Sequence, residues 1–453
     1  METVLTYIDK NRERFLSELF DFIRIPSVSA KTDNGETMQK CALFVRQALL
    51  NAGADTAQVL QTNGWPVVYA EKIIDPAKPT VLVYGHYDVQ PAEPLELWTT
   101  PPFEPEIRDG KIFARGADDD KGQLFMHVKA FEYMVSEGLL PCNVKFIVEG
   151  EEEIGSASLE AFCKENAALL KADVILVSDT SMISLASPTL TTGLRGLAYF
   201  EVELSGQNRD LHSGLFGGAV LNPCNVLCGV IDKLIDENGR ITIPGFYDSV
   251  QEVSAEERKQ LNSVDFNEKA FFKGIGLENG RGETGYTTIE RIGIRPTLDV
   301  NGIWGGYTDE GAKTVLPAKA FAKISTRLVP HQTPEQISAK LKSYMQKLIP
   351  EGFSVKVEYL HGGTPYVLPF DSKEMEAAVM AMEKSFGKKP LPVRSGGSIP
   401  VISVFEKVLG IKAVLMGFGL ESDAIHAPDE NYPLENFFKG IETIPWFYHF
   451  YVK

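Results

Sequence analysis

The chain of 453 residues carries 61 acidic and 45 basic side chains, and its formal net charge is -16. This length is more than one compact domain usually reaches, so it predicts two domains. The acidic balance argues against binding to nucleic acid or to an anionic membrane surface. The five cysteines contain no CxxC pair, no signal-peptide pattern follows Met1, and no apolar run is long enough for a membrane span. We therefore expect a cytoplasmic protein without a disulfide framework.

Helical and strand patterns alternate along much of the chain. Apolar residues at helical spacing over 4–24, followed by Ile25-Pro26-Ser27, predict an amphipathic N-terminal helix. Short continuous apolar runs then alternate with helical patterns, at 80–84, 144–148, 174–177 and 413–416. Such runs are typical of strands buried on both faces, so they predict a mainly parallel mixed α/β sheet flanked by helices.

The pattern changes between residues 193 and 367. Three stretches alternate like half-buried strands, at 197–205, 319–328 and 353–360, and two stretches have a helical pattern, at 218–237 and 334–348. The polar, Gly-rich stretch 245–300 predicts a long loop with short helices. We therefore predict an inserted α+β domain of ferredoxin-like type. The predicted domains are 1–192 and 368–453, the two parts of a catalytic domain, and 193–367, the insert.

Five short segments along the chain are rich in histidine and carboxylate residues. They are Gly85–Asp88, Arg115–Gly122, Glu151–Ser156, Ser178–Thr180 and Ile425–Pro428. Three of them begin where a predicted strand ends, at His86, Glu151 and Asp179, and the carboxyl ends of parallel strands meet in one cleft. Imidazole and carboxylate groups together are the ligands of a dinuclear zinc or manganese site. The pattern predicts a metallohydrolase.

Each segment also has an ordinary structural interpretation. His86 with Asp88 two positions on is a common short pattern, although a carboxylate there is able to orient the imidazole. The triplet Asp118–Asp120 fits a solvated loop, or a site in which one carboxylate bridges two cations. Glu151–Glu153 fits a surface turn, or a pair in which one glutamate binds metal and its neighbour is a general base for water. Asp179 alone fits a turn cap.

In this order, the segments resemble the M20 family of metallopeptidases, most closely its branch of cytosolic nonspecific dipeptidases and carnosinases. The resemblance covers nearly the whole chain and depends on three motifs, Gly85-His86-Tyr87-Asp88, Asp119-Asp120-Lys121-Gly122 and Glu152-Glu153-Ile154-Gly155-Ser156. It implies a homodimeric, two-metal dipeptidase that acts on small peptides. An N-acyl amino acid deacylase or a carboxypeptidase of the same family is the alternative. A binding protein that only retains the fold is disfavoured, because every presumed ligand is present.

The resemblance also implies a role for each residue of the metal site. The implied ligands are His86 and Asp179 for one ion, Glu153 and His426 for the other, and Asp119 as the bridge between them. Asp88 orients the first histidine, and Glu152 is the general base. Two divalent ions per subunit are implied, with Zn²⁺ expected and Mn²⁺ or Co²⁺ as alternatives. Asp118 departs from the family pattern, since relatives often have threonine or another small residue there.

The inserted domain carries the implied substrate contacts. His212, within Arg209-Asp210-Leu211-His212-Ser213-Gly214, resembles the histidine that reaches from one subunit into the active site of its partner. Arg327 resembles the arginine that holds the substrate carboxylate, a task suited to its bidentate geometry. Thr314, His361 and Ser398 match further substrate-contacting positions. The insert is therefore expected to act as a lid and to form the dimer interface.

Overall fold

The computed structural model describes residues 3–397 and 399–453. The chain divides into two compact units. The first contains the chain up to Thr192 together with Leu368–Val393 and Val401–Lys453, and the second contains Gly193–Val367 and Arg394–Pro400. The segment Arg394–Pro400 is assigned to the second unit, whereas the predicted insert ends at residue 367. Within the described residues, no helix combines the length and apolarity needed to cross a membrane.

A mixed sheet forms the centre of the first unit. Its strands lie in the order Thr56–Leu60, Val67–Lys72, Asn143–Glu149, Thr80–His86, Val174–Val177, Ala413–Leu415 and Thr189–Leu194. The four strands from Asn143–Glu149 to Ala413–Leu415 run parallel, and the outer pairs are antiparallel. Every residue of Asn143–Glu149 is buried, which explains its almost continuous apolar run. The short strands Tyr366–Val367 and Leu391–Ser395 pair with Thr189–Leu194.

Helices flank this sheet. The long ones are Thr3–Ile23, Gly35–Asn51, Lys121–Ser136, Lys373–Phe386 and Leu434–Tyr451. The short ones are Leu159–Glu165, Ala167–Leu170 and Pro400–Val404, with 3-10 turns at Leu95–Leu97 and Glu152–Ile154 and a π-helical turn at Phe405–Leu409. Two small sheets complete the unit, one of Glu106–Arg108, Lys111–Phe113 and Asn431–Pro433, the other of Ser181–Met182 and Gly419–Leu420.

The lysine of the Asp-Asp-Lys-Gly motif has a structural task. Lys121 is fully buried, and its Nζ donates hydrogen bonds to the carbonyl oxygens of Phe22, at 3.2 Å, and Ile25, at 2.6 Å. A cation at the C-terminus of the helix Thr3–Ile23 satisfies carbonyl groups that have no partner within the helix. Because Lys121 also begins the buried helix Lys121–Ser136, it ties the start of that helix, directly after Asp119 and Asp120, to the N-terminal helix.

The second unit contains a four-stranded antiparallel sheet. Its strands lie in the order Thr297–Gly305, Lys319–Leu328, Gly196–Ser205 and Ser354–Gly363. Numbered along the chain, this order is 2-3-1-4, and the helices Pro223–Asp232 and Pro334–Leu348 follow strands one and three, as in a ferredoxin-like βαββαβ fold. Ala198, Phe200 and Ile324 are among the buried residues that form its core with these helices.

The remaining elements of the second unit are short. They are the helices Ser213–Phe216, Ala255–Leu261, Glu268–Gly274 and Thr288–Gly293 and the paired strands Leu211–His212 and Val315–Leu316. Three of these helices lie within 245–300, as the polar, Gly-rich composition predicts. The helical pattern at 218–237 is realised only over Pro223–Asp232, where Asn222 caps the first turn by accepting a hydrogen bond from the Cys224 amide.

Candidate metal centre

The predicted metal ligands come from loops that follow the parallel strands. His86 ends the strand Thr80–His86, Glu153 lies in the 3-10 turn that follows Asn143–Glu149, and Asp179 comes after Val174–Val177. These three strands are neighbours with the same direction, so their carboxyl ends lie along one edge of the sheet. Asp119 precedes the buried helix Lys121–Ser136, and His426 comes from the loop before Asn431–Pro433.

Two clusters share Asp119. The His86 Nε2 atom lies 3.0 Å from Asp119 Oδ1 and 4.0 Å from Asp179 Oδ2. The His426 Nε2 atom lies 3.0 Å from Asp119 Oδ2 and 3.1 Å from Glu153 Oε2. Within each cluster the candidate ligand atoms lie within 4.8 Å of one another. Asp119 therefore presents one oxygen to each cluster, which is the arrangement of a carboxylate that bridges two ions.

The electrostatics of these side chains fit two divalent cations. Burial and the negative charge of Asp119 raise the pKa of Asp179 well above its usual value. Burial raises the pKa of Glu152 to about 8, and burial together with Asp119 also raises the pKa of Glu153. The buried Glu153 Oε1 atom has no hydrogen-bond partner among the described residues. Cations held at the two clusters would offset this repulsion, and mixed imidazole and carboxylate donors suit zinc or manganese.

Asp88 orients both the first histidine and the glutamate turn. The His86 Nδ1 atom lies 3.1 Å from the backbone oxygen of Asp88 and 3.4 Å from its Oδ1. A proton on Nδ1 leaves the Nε2 lone pair directed at the cluster. The Asp88 carboxylate accepts hydrogen bonds from the backbone amides of Glu152, at 3.3 Å, and Glu153, at 3.1 Å. Through its backbone oxygen and its carboxylate, Asp88 thus positions a candidate ligand histidine and the candidate base.

The three glutamates of the triplet have different roles, which the local sequence does not reveal. The Glu151 carboxylate accepts hydrogen bonds from the backbone amides of Trp65, at 3.2 Å, and Ser158, at 3.0 Å, so it anchors the turn. Gly155 ends the turn with a φ of 91°, a backbone conformation that favours glycine. Glu153 is a candidate ligand in the cluster with His426, and the charges of His86 and Asp119 act on the carboxyl group of Glu152.

A buried ion pair that the sequence did not predict, between Arg115 and Glu430, holds the backbone of the aspartate triplet. The Glu430 carboxylate accepts hydrogen bonds from the amides of Gly116, Asp118 and Asp119 at 2.8 to 3.2 Å. Arg115 Nη1 lies 2.7 Å from Glu430 Oε2, and both side chains are almost completely buried. Only their positions in the sequence point to these two residues, because Arg115 begins the aspartate segment and Glu430 follows His426 by four residues.

The other two members of the aspartate triplet are also buried. Asp120 accepts a hydrogen bond from the backbone amide of His86 at 3.0 Å, so it supports the ligand strand. Asp118, the residue that departs from the family pattern, has its pKa raised well above the usual range by burial and by the negative charges of Asp423 and Glu430. Neither carboxylate belongs to the two clusters of candidate ligands.

Arg115→Met is expected to lower the free energy of unfolding by about 3–5 kcal/mol, because it leaves the buried Glu430 carboxylate without its charged partner. Chemical denaturation monitored by fluorescence measures this change. Arg24→Gln is the matched control, since Arg24 makes ion pairs with Asp21 and Glu104 while half exposed, and such pairs contribute about 0–1 kcal/mol. Equal effects of the two substitutions would contradict the role of the buried pair.

The predicted substrate contacts in the second unit form two groups. Exposed His212 lies beside Thr314, since His212 pairs with Val315 and the Ser213 amide donates to the Thr314 carbonyl at 3.0 Å. Arg327 and His361 lie on one face of the four-stranded sheet. Arg327 is the cross-strand partner of Leu197 and His361 is that of Tyr199, and these two partners are two residues apart on the same strand. The His361 ring stacks on Tyr199 with centroids 5.2 Å apart. Ser398 lies outside the described residues.

The comparisons with known proteins agree with this site. A model of Peptidase family M20/M25/M40 matches residues 82–445, and the chain belongs to this family. It is 33% identical to the Cys-Gly metallodipeptidase dug1 of Schizosaccharomyces pombe, over 99% of this chain and 98% of that protein. It is 30% identical to the Beta-Ala-His dipeptidase of Rattus norvegicus, over 99% of this chain and 95% of that protein. The resemblance to the dipeptidase branch is thereby confirmed.

A solved structure has the same fold over nearly the full length. The M20 family metallo-carboxypeptidase Sso-CP2 from Sulfolobus solfataricus superimposes with a TM-score of 0.86 at 35% identity, over 96% of this chain and 99% of that chain. Together with the family match, this likeness makes the chain a peptidase of the M20 fold, with a mixed sheet flanked by helices.

Proposed function

We propose that this protein hydrolyses dipeptides at a dinuclear metal centre. The observation that carries the proposal is the Asp119 carboxylate, which presents one oxygen to His86 and the other to His426, each at 3.0 Å. Similarity to proteins named Cys-Gly metallodipeptidase and Beta-Ala-His dipeptidase favours dipeptides as the substrates. Zn²⁺ is the expected metal, with Mn²⁺ and Co²⁺ as alternatives, because the mixed donor set accepts all three.

In the proposed mechanism, separate residues bind the metal ions, transfer the proton and position the base. His86, Asp119 and Asp179 would hold one ion and Asp119, Glu153 and His426 the other. Bound there, divalent ions polarise a peptide carbonyl and lower the pKa of water. Glu152 takes a proton from the water whose oxygen attacks the carbonyl carbon, and it returns that proton to the amine as the C–N bond breaks. The Asp88 carboxylate holds the backbone of Glu152 during both transfers.

The proposal includes a role for the second unit as lid and dimer interface. Large apolar side chains are exposed near His212, with Leu215 76% and Leu221 54% accessible, and on the edge strand Thr297–Gly305, where Ile303 is 50% accessible. Exposed apolar patches and open strand edges are typical of surfaces that pair with a second copy. His212 lies at the start of this patch, which favours its action in the partner subunit. There it would stabilise the developing oxyanion.

Substrate recognition is assigned to the polar face of the four-stranded sheet. Arg327 would bind the substrate's C-terminal carboxylate, with Ser398, Thr314 and His361 as further contacts, because a guanidinium matches a carboxylate in a bidentate geometry. A cytoplasmic location is also part of the proposal, and it is supported by the free thiols of all five cysteines.

A carboxypeptidase is the second candidate function, because a solved M20 metallo-carboxypeptidase is 35% identical to this chain. An N-acyl amino acid deacylase is the remaining alternative. A panel of dipeptides, tripeptides and N-acetyl amino acids, analysed by product, separates the three activities. Cleavage of dipeptides with little activity on the other classes supports the proposal. Release of C-terminal residues from tripeptides at an equal rate would contradict it.

Removal of metal is expected to abolish peptidase activity, and adding back Zn²⁺, Mn²⁺ or Co²⁺ is expected to restore it. Two divalent ions per chain should be found by elemental analysis of the active protein, because two clusters share Asp119. The control is a sample carried through the same chelation and dialysis with metal present. Full activity in a sample shown to be free of metal would contradict the dinuclear mechanism.

Mixing inactive His212→Ala and Glu152→Ala subunits is expected to restore about one quarter of wild-type activity. Random exchange gives about half mixed dimers, and in each of these one site has both Glu152 and His212 of the other subunit. Differently tagged subunits, purified through both tags, measure the mixed dimers directly. Each variant alone is the control. Mixed dimers without recovered activity would contradict the action of His212 in the partner.

A further inference from the structure

Arg195 lies beside the predicted carboxylate site of the second unit. It directly precedes the strand Gly196–Ser205, in which Leu197 pairs with Arg327. Its side chain is only 8% accessible. Arg195 therefore lies two residues along the chain from the cross-strand partner of Arg327. Burial and the positive charge of Arg327 lower the pKa of Arg195 to about 10. A second arginine thus lies close to Arg327 in the register of the sheet.

The Arg195 guanidinium joins two backbone segments. Its Nε donates to the carbonyl oxygen of Gly396 at 3.1 Å, and its Nη1 donates to the carbonyl oxygens of Arg295, at 3.1 Å, and Arg291, at 3.4 Å. The first oxygen belongs to Arg394–Gly397, and the other two lie at and just beyond the helix Thr288–Gly293. A planar guanidinium with fixed donor directions sets the distance between these two segments.

The segment Arg394–Gly397 has little room to move away from this contact. A Cβ atom on Gly396 would lie 2.9 Å from the Ile292 carbonyl oxygen and 3.0 Å from Arg195 Nη2, which is closer than ordinary van der Waals contact. At the start of the segment, Arg394 Nη2 lies 2.6 Å from Glu257 Oε1. The place of this segment within the second unit thus depends on Arg195 at one end and on Glu257 at the other.

We propose that Arg195 is a positioning residue for recognition of the substrate's C-terminal carboxylate. It fixes the backbone of Arg394–Gly397 and places a second positive charge beside Arg327. The inference rests on the proposed function, in which Arg327 binds that carboxylate. It extends the recognition site from one arginine to a pair in which only Arg327 touches the substrate.

The test compares a dipeptide with its C-terminal amide, which lacks the carboxylate charge. Arg195→Met is expected to raise KM for the free dipeptide about tenfold, the effect of weakening one hydrogen bond to a charged group, with kcat within about twofold. KM for the amide should not change. Arg195→Lys keeps the charge without the planar donor set, so its KM should be intermediate.

Gly396→Ala provides a second route to the same result. Its methyl group displaces the segment from Arg195 without removing any charge, so it should also raise KM for the free dipeptide alone. Arg240→Met is the matched control, because it removes a half-exposed arginine of the same unit that pairs with Glu283. Its KM values should equal those of the wild type. Thermal unfolding of each variant shows that the proteins are folded under the assay conditions.

The outcomes separate this inference from the proposed function. If Arg327→Met keeps the preference for the free dipeptide, the proposed carboxylate site is wrong. If Arg327→Met loses that preference while Arg195→Met and Gly396→Ala keep wild-type KM, only the role of Arg195 is overturned. Equal losses with the dipeptide and the amide would also overturn it, because they show a general structural effect.

Discussion

Glu152→Gln is expected to lower kcat for dipeptide hydrolysis by about 10²–10⁴-fold while two metal ions per chain remain bound. The amide has the shape of the carboxylate but cannot take the proton of the attacking water. The turn itself should persist, because the Asp88 carboxylate binds the backbone amides of Glu152 and Glu153, at 3.3 and 3.1 Å, and not their side chains. Steady-state kinetics and elemental analysis of the same sample measure both properties.

Two neighbouring substitutions test whether Glu152 alone is the base. Glu153→Gln is expected to lose an ion, since Glu153 Oε2 lies 3.1 Å from His426 Nε2 in the second cluster. Glu160→Gln removes a partly exposed carboxylate of the same unit and should leave kcat and metal content unchanged. Near wild-type kcat in Glu152→Gln, with both ions bound, would contradict the assignment of the base.

Asp119→Asn is expected to reduce metal content below one ion per chain and activity by about 10³-fold or more, because the ions supply several kcal/mol of transition-state stabilisation. One oxygen of Asp119 serves each cluster, so an amide that offers a single oxygen cannot bridge them. Asp179→Asn removes a ligand from one cluster only, and it should lose one ion. Isothermal titration with Zn²⁺ on metal-free protein resolves the two cases.

Asp118→Asn is the matched control for the bridge. Asp118 is adjacent, has the same carboxyl side chain and is also buried, but it is not among the candidate ligands. Its amide should keep two ions per chain. Loss of both ions from Asp118→Asn, or two ions retained in Asp119→Asn, would show that the register within the triplet is wrong.

Much of the site was accessible from the sequence because its residues follow strong local patterns. The buried parallel strands are short apolar runs, and the histidine and carboxylate segments follow their ends, as seen at His86, Glu153 and Asp179. The choice of Asp119 within its triplet came from family resemblance and not from periodicity. In the structure this residue is the one whose two oxygens face both histidines.

The supporting contacts were not predictable, because they join residues distant in the chain. The pairing of Arg115 with Glu430 spans most of the sequence, and the anchor of Glu151 is the backbone amide of Trp65. Neither partner has a local pattern that distinguishes it from an ordinary surface residue. The same reason applies to Arg394–Pro400, whose place in the second unit depends on contacts such as the hydrogen bond from Arg195 to the Gly396 carbonyl.

The sequence by itself determined the family, through the motifs that resemble it. It also predicted a two-part architecture and a set of candidate metal ligands, since composition, periodicity and motif order are local properties of the chain. Only the tertiary structure decided which of those side chains belong to each cluster of candidate ligands and which have structural roles. It showed that Asp119 is shared between two clusters, that Glu151 and Lys121 have structural tasks, and that Arg195 donates a hydrogen bond to the Gly396 carbonyl. These assignments depend on distances between separate elements, which packing of the folded chain sets.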